Sequence, residues 1–101
     1  MPTFKAGATR DGLLYEITSK FDDIDAIHKK MIRREAIITS ARDGAHMKNS
    51  LHYKGRAIDL RIYDMPMGVA QKVVTELKNK LGRNYDIVLE HDHIHLEYDP
   101  K

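Results

Sequence analysis

Residues 85–98 read Tyr85-Asp86-Ile87-Val88-Leu89-Glu90-His91-Asp92-His93-Ile94-His95-Leu96-Glu97-Tyr98. Two short runs, Tyr85 to Leu89 and His93 to Tyr98, flank a polar break at His91 and Asp92, the pattern of two strands joined by a tight reversal. A parallel crossover needs about a dozen residues or more, so these two strands are antiparallel and their sheet is antiparallel or mixed. Side chains alternate along a strand, which puts His93, His95 and Glu97 on one face and sends Ile94 and Leu96 into the core.

Upstream, Pro66 opens and Gly82 closes a segment in which Val69, Val73, Leu77 and Leu81 recur at helical spacing, so a helix is predicted there with both its start and stop residues in place. Arg56 to Tyr63 alternates Ala57, Asp59 and Arg61 against Ile58, Leu60 and Ile62, the period of a half-buried strand whose polar face carries Asp59. Glu35 to Ser40 is short and β-branched, and reads as another strand. The polar loop Ala41 to Lys54 follows it, with the Asp43-Gly44 turn signal, and holds His46, Asn49, Ser50 and His52. Between Ser19 and Arg34, Phe21, Ile24, Ile27, His28 and Met31 form one helical face. Asp22, Asp23 and Asp25 lie early in that helix, and Lys29, Lys30, Arg33 and Arg34 late, as its dipole favours. The expected architecture is α+β: a small antiparallel or mixed sheet of about four strands, with two main helices packed on one face.

Composition narrows the chemistry. A chain of 101 residues, 42% hydrophobic and 32% charged, fits a single domain over residues 1–101 with one apolar core. Its formal charge of +2 is too small and too interspersed to predict a nucleic-acid or membrane partner. With no cysteine, disulfides, thiolate metal sites and thiol nucleophiles are all excluded. The first twenty residues contain no apolar run of the kind that directs export, and no segment is apolar enough to span a bilayer as a helix. Lys48, Lys54, Arg56 and Arg61 lie in and just after the polar loop, but without interleaved aromatic residues they read as a solvated rim, or one suited to an anionic wall polymer, rather than a nucleic-acid surface. A monomer is expected.

The histidines are the sharper signal. Two imidazoles on one strand face, the carboxylate of Asp59 on another strand, and His52 on the loop before it are the donors of a divalent-metal site. Three protein ligands would leave a fourth position for water. The same donor types also serve non-haem iron oxygenases, but those need more strands than this length provides.

One string is specific. Ser50-Leu51-His52-Tyr53-Lys54-Gly55-Arg56-Ala57-Ile58-Asp59, preceded by Thr39-Ser40-Ala41-Arg42 and followed by His93-Ile94-His95, resembles the zinc D-alanyl-D-alanine peptidases. These share a core with the hedgehog signalling domain and include carboxypeptidases and phage endolysins. The resemblance spans Ile37 to Tyr98 in the family's order. It implies a hedgehog-like fold, one Zn2+ held by His52, Asp59 and His95, and a peptidoglycan stem peptide as substrate. Arg42 matches the arginine that binds the substrate carbonyl, and Ser50 matches a serine that supports the site.

For the general base the resemblance leaves three candidates. A carboxylate three residues before the last ligand falls on Asp92, and a histidine two before it falls on His93. If His93 were itself the ligand, Glu90 would take the carboxylate's place. Asp92 and His93 jointly lining the site is the preferred expectation. A metal-activated water would then hydrolyse the peptide bond, with proton transfer by that base. Two departures bear on the pocket wall: Ala41 stands where the family has glycine, and the region before Ile37 is shorter than in larger members. The alternative is a catalytically degenerate, metal-containing module that binds cell-wall peptide without cleaving it. The surroundings would be host cytoplasm and then cell wall if the chain is a phage lysin.

Overall fold

A computed structural model of the chain describes residues 2–41 and 55–100. Its elements in order are β1 (Thr3–Phe4), α1 (Tyr15–Thr18), α2 (Phe21–Ile32), β2 (Ile37–Ser40), β3 (Ala57–Arg61), α3 (Val69–Leu81), β4 (Tyr85–Leu89) and β5 (His93–Tyr98). The strands form one sheet in the order β1-β2-β3-β5-β4. The pair β1/β2 is parallel and the other pairs are antiparallel, so the sheet is mixed.

The architecture is α+β, with five strands in the sheet rather than the expected four. The addition is β1, whose two residues are too few to show a period in sequence. The four-residue α1 is also too short to show a helical period, and its Ile17 is fully buried. The expected helix from Ser19 to Arg34 is trimmed to α2, because Ser19 closes α1 and Arg33 adopts a left-handed conformation at φ 59°. At α3 the helix starts at Val69 rather than Pro66, because Gly68 sits at φ 83°, outside the helical region. Gly82 ends it, its N–H donating to the carbonyl of Lys78 at 3.1 Å.

The apolar faces meet in one cluster. Phe21, Ile24 and Ile27 of α2, and Val73, Val74, Leu77 and Leu81 of α3, pack with Ile38, Ile58, Leu60, Ile87, Ile94 and Leu96 of the sheet. Burying each large aliphatic side chain contributes about 1.5–3 kcal/mol, and the stripe spacing of both helices is what makes that burial possible on one sheet face. Asp25, itself buried, fastens α2 to the sheet by accepting the N–H of Ala36 at 2.9 Å. The other sheet face carries the polar set of β3 and β5.

The β4–β5 hairpin has its reversal at the anticipated place: Leu89 pairs with Ile94, and Glu90 N–H donates to the His93 carbonyl at 2.9 Å. Between β2 and β3 the register slips, Ile38 opposing Leu60 but Ser40 opposing Asp59. An extra residue on β2 at this point is a bulge, a device that bends a strand and re-aims nearby side chains. It lies beside Asp59.

Candidate metal centre

The site follows from strand register. In the β3/β5 pair, Asp59 opposes His95, Arg61 opposes His93 and Ala57 opposes Glu97. Directly opposed side chains on one face stand about 4.5–5.5 Å apart at Cβ, close enough for an aspartate to reach an imidazole. Oδ1 of Asp59 lies 3.1 Å from Nδ1 of His95 and 3.6 Å from Nε2 of His93, so one carboxylate oxygen faces both rings.

Each of the three residues is partly buried, and each offers one ligand atom, all within 4.8 Å of one another. Two donors each about 2.1 Å from a shared ion at a tetrahedral angle stand about 3.4 Å apart. The 3.1 Å and 3.6 Å separations bracket that value without any strand having to move. Nitrogen and carboxylate oxygen are also the donor types a borderline cation such as Zn2+ accepts. The residues therefore fit a divalent ion.

Electrostatics point the same way. His95 is held between carboxylates, its Nδ1 on Asp59 and its Nε2 2.9 Å from Oε1 of Glu97. The hydrogen bond to Asp59 is the largest influence and raises the imidazole pKa above its ordinary value; partial burial opposes it, and Glu97 adds to it. A position that stabilises a proton between anions also stabilises a metal cation that replaces the proton.

Asp92 precedes β5 and is well exposed. Its Oδ1 lies 2.6 Å from Nδ1 of His93, and that hydrogen bond holds the carboxyl pKa below its usual range. Asp92 is thus a carboxylate at neutral pH, coupled to the site through His93. Glu90, the third candidate for the base, is exposed beyond the end of β4 and outside the group of metal-compatible atoms. Arg42, Ser50 and His52, together with His46, lie outside the described residues.

Two acidic residues beside the site carried no role in the sequence reading. Glu97 shares the face of His93 and His95, a placement its two-residue spacing signals. Asp86 opposes Glu97 across β4/β5, and Asp86, Glu97 and Asp99 form a second cluster of closely spaced carboxylates. A shallow groove of about 580 Å³ runs past Glu97 and Asp86 to Arg83 and Lys78.

Comparison of the chain with protein-family models, with curated proteins and with solved structures gives no match.

Proposed function

We propose that this chain is a zinc-dependent peptidase of the D-alanyl-D-alanine peptidase and hedgehog type, hydrolysing amide bonds in the stem peptides of bacterial peptidoglycan. The observation that carries the reading is the cross-strand pair of Asp59 and His95, with His93 on the same carboxylate oxygen. It gains support from the string of Ser50, His52, Gly55, Ala57 and Asp59 that leads into β3.

Asp59 and His95 would hold the ion, with His52 of the motif as the third ligand. When bound, such an ion lowers the pKa of a coordinated water and polarises a carbonyl. The chain's own residues supply the rest. Asp92, ionised and only lightly screened from solvent, accepts the proton of the attacking water as its oxygen bonds to the scissile carbonyl carbon. The same proton then passes to the amide nitrogen as the C–N bond breaks, so the amine leaves neutral and Asp92 is again a carboxylate. His93 links Asp92 to the site, its Nδ1 2.6 Å from Asp92 Oδ1 and its Nε2 3.6 Å from Asp59 Oδ1. Arg42 binds the substrate carbonyl, or its terminal carboxylate if the cut is at the end of the peptide.

The test is hydrolysis of purified muropeptides by protein carrying one equivalent of zinc, with products identified by mass spectrometry. Asp92→Ala is expected to lower kcat by about a hundredfold to ten-thousandfold while zinc content is unchanged. Should the zinc-loaded wild type bind stem peptides yet leave all of them intact, the peptidase reading fails and the wall-binding module takes its place.

A further inference from the structure

The carboxylate of Glu97 has a geometry that the hydrolytic reading does not use. Its Oε1 stands 2.9 Å from Nε2 of His95, on the edge of the ring away from Asp59. Glu97 lies outside the metal-compatible group of Asp59, His93 and His95 while contacting one of its members, and its other close neighbours are the carboxylates of Asp86 and Asp99. The side chains of both His95 and Glu97 are about four-fifths buried, at 21% and 18% exposure, so this is not a solvated surface pair.

Neighbouring residues favour the orientation. Ala57 opposes Glu97 on β3, and its small side chain leaves the space above it to the longer glutamate. On the other side Asp86 opposes Glu97, and like charges directly across a ladder repel, which turns Glu97 toward a positive or hydrogen-donating partner. Arg83 and Lys78 line the same groove, yet neither bonds to Glu97 among the described residues. The donor that Glu97 takes is the imidazole of His95.

We propose that Glu97 is the positioning residue of the metal centre: by accepting the Nε2–H of His95 it fixes the tautomer whose Nδ1 lone pair faces Asp59 and the cation. A histidine ligand whose second nitrogen is tied to a carboxylate is held in one ring orientation and made a stronger donor. Without that partner the proton could reside on Nδ1, and the ring would present no lone pair to the ion. The inference rests on the reading that Asp59 and His95 hold a divalent cation.

Zinc affinity of the metal-free protein, measured by competition with a chromophoric chelator, tests it. Glu97→Ala is expected to weaken binding by about tenfold to a hundredfold. Glu97→Gln keeps an acceptor oxygen without the charge and should weaken it by about threefold to tenfold. Lys80→Ala, at an exposed position of α3, should leave affinity unchanged, and the metal-free variants should melt close to the wild type. Nitrogen-15 spectra of the zinc-loaded wild type should show His95 protonated at Nε2, with that signature lost in Glu97→Ala. If Glu97→Ala folds poorly, Glu97→Gln carries the measurement. Zinc affinity unaltered in both variants, with His95 still protonated at Nε2, would overturn the role of Glu97 while leaving the metal centre standing. A wild type that binds no zinc would overturn the underlying reading and Glu97's role with it.

Discussion

The backbone of Gly55 lies against that of Gly12 so closely that a Cβ on Gly55 would stand 2.2 Å from the Gly12 carbonyl oxygen. Gly55 also sits at φ 77°, in the left-handed region, and its own carbonyl accepts the N–H of Leu14 at 3.0 Å. This contact ties the N-terminal segment to the residue from which the chain enters β3 and delivers Asp59. The motif glycine is thus required twice, for its backbone angle and for the space beside it.

Gly55→Ala is accordingly expected to cost at least about 2 kcal/mol, since the left-handed angle alone costs an L-residue about 1–2 kcal/mol and the clash is with rigid backbone. For a domain of this size that is a fall of about 8 °C or more in Tm. Thermal denaturation followed by circular dichroism measures it. A variant melting with the wild type would mean that the approach to Gly12 is not kept in solution.

Zinc should stabilise the fold, because an ion bound only by the native arrangement of Asp59 and His95 shifts the folding equilibrium by mass action. At free zinc a hundred times the dissociation constant the gain is about 2.7 kcal/mol. Asp59→Ala and His95→Ala should each lose that gain, whereas Lys80→Ala, on the exposed side of α3, should retain it. Scanning calorimetry with and without zinc, and with a chelator to reverse the effect, decides the matter. An equal zinc shift in Asp59→Ala would place the ion elsewhere.

Arg34 should be irreplaceable by lysine. Its Nε and Nη2 donate to the two carboxylate oxygens of Asp64, each at 2.8 Å, while Nη1 reaches the Glu35 carbonyl at 2.8 Å and Nη2 the Arg61 carbonyl at 3.3 Å. One planar fork thereby joins the chain after α2 to the end of β3, and an ammonium cannot reproduce the fork. Arg34→Lys is expected to cost about 1 kcal/mol, because the pair is partly exposed to solvent. The hydrogen bond from Arg34 is the main reason the Asp64 carboxyl pKa lies below its usual 3.8. A depressed carboxyl pKa stabilises the fold above the unfolded value and ceases to do so as the pH falls through the folded one. Urea titrations at pH 7 and at pH 3 should therefore show the difference between wild type and Arg34→Lys narrowing in acid.

How far the sequence reveals the site depends on which residue is considered. Asp59, His93 and His95 are legible because strand alternation assigns faces from the chain alone, and the observed register puts Asp59 opposite His95. That register is a tertiary fact, set by hairpin geometry and by the bulge near Ser40, and no period in the sequence encodes it. β1 escapes for a related reason: a two-residue strand exists only because β2 offers it an edge. Glu97 shows its face but not its partner, since the contact with His95 depends on the small side chain of Ala57 and on Asp86 across the ladder. His28 shows its place in the helical stripe of α2, but not that the stripe carries it to complete burial.

His28 should make the fold acid-sensitive. Its ring is fully buried, Nδ1–H donates to the Ile24 carbonyl at 2.9 Å, and Nε2 has no hydrogen-bond partner among the described residues. Burial is the largest influence and lowers the imidazole pKa below 6.5, aided by Arg34 and opposed by the Ile24 hydrogen bond and by Asp25 and Asp64. A histidine buried neutral binds its proton more readily once unfolded, so below about pH 6.5 the unfolded state takes up the proton first and stability declines. The decline from this one group approaches about 1.4 kcal/mol per pH unit until the pH reaches the folded-state pKa. His28→Leu keeps an apolar side chain at the position and removes the titration, while the Ile24 carbonyl keeps its place in the helical ladder. Chemical denaturation between pH 7.5 and pH 5 should show the wild type losing more stability than His28→Leu. Parallel curves for the two proteins would mean that water reaches Nε2 in solution and that the ring titrates as an exposed histidine does.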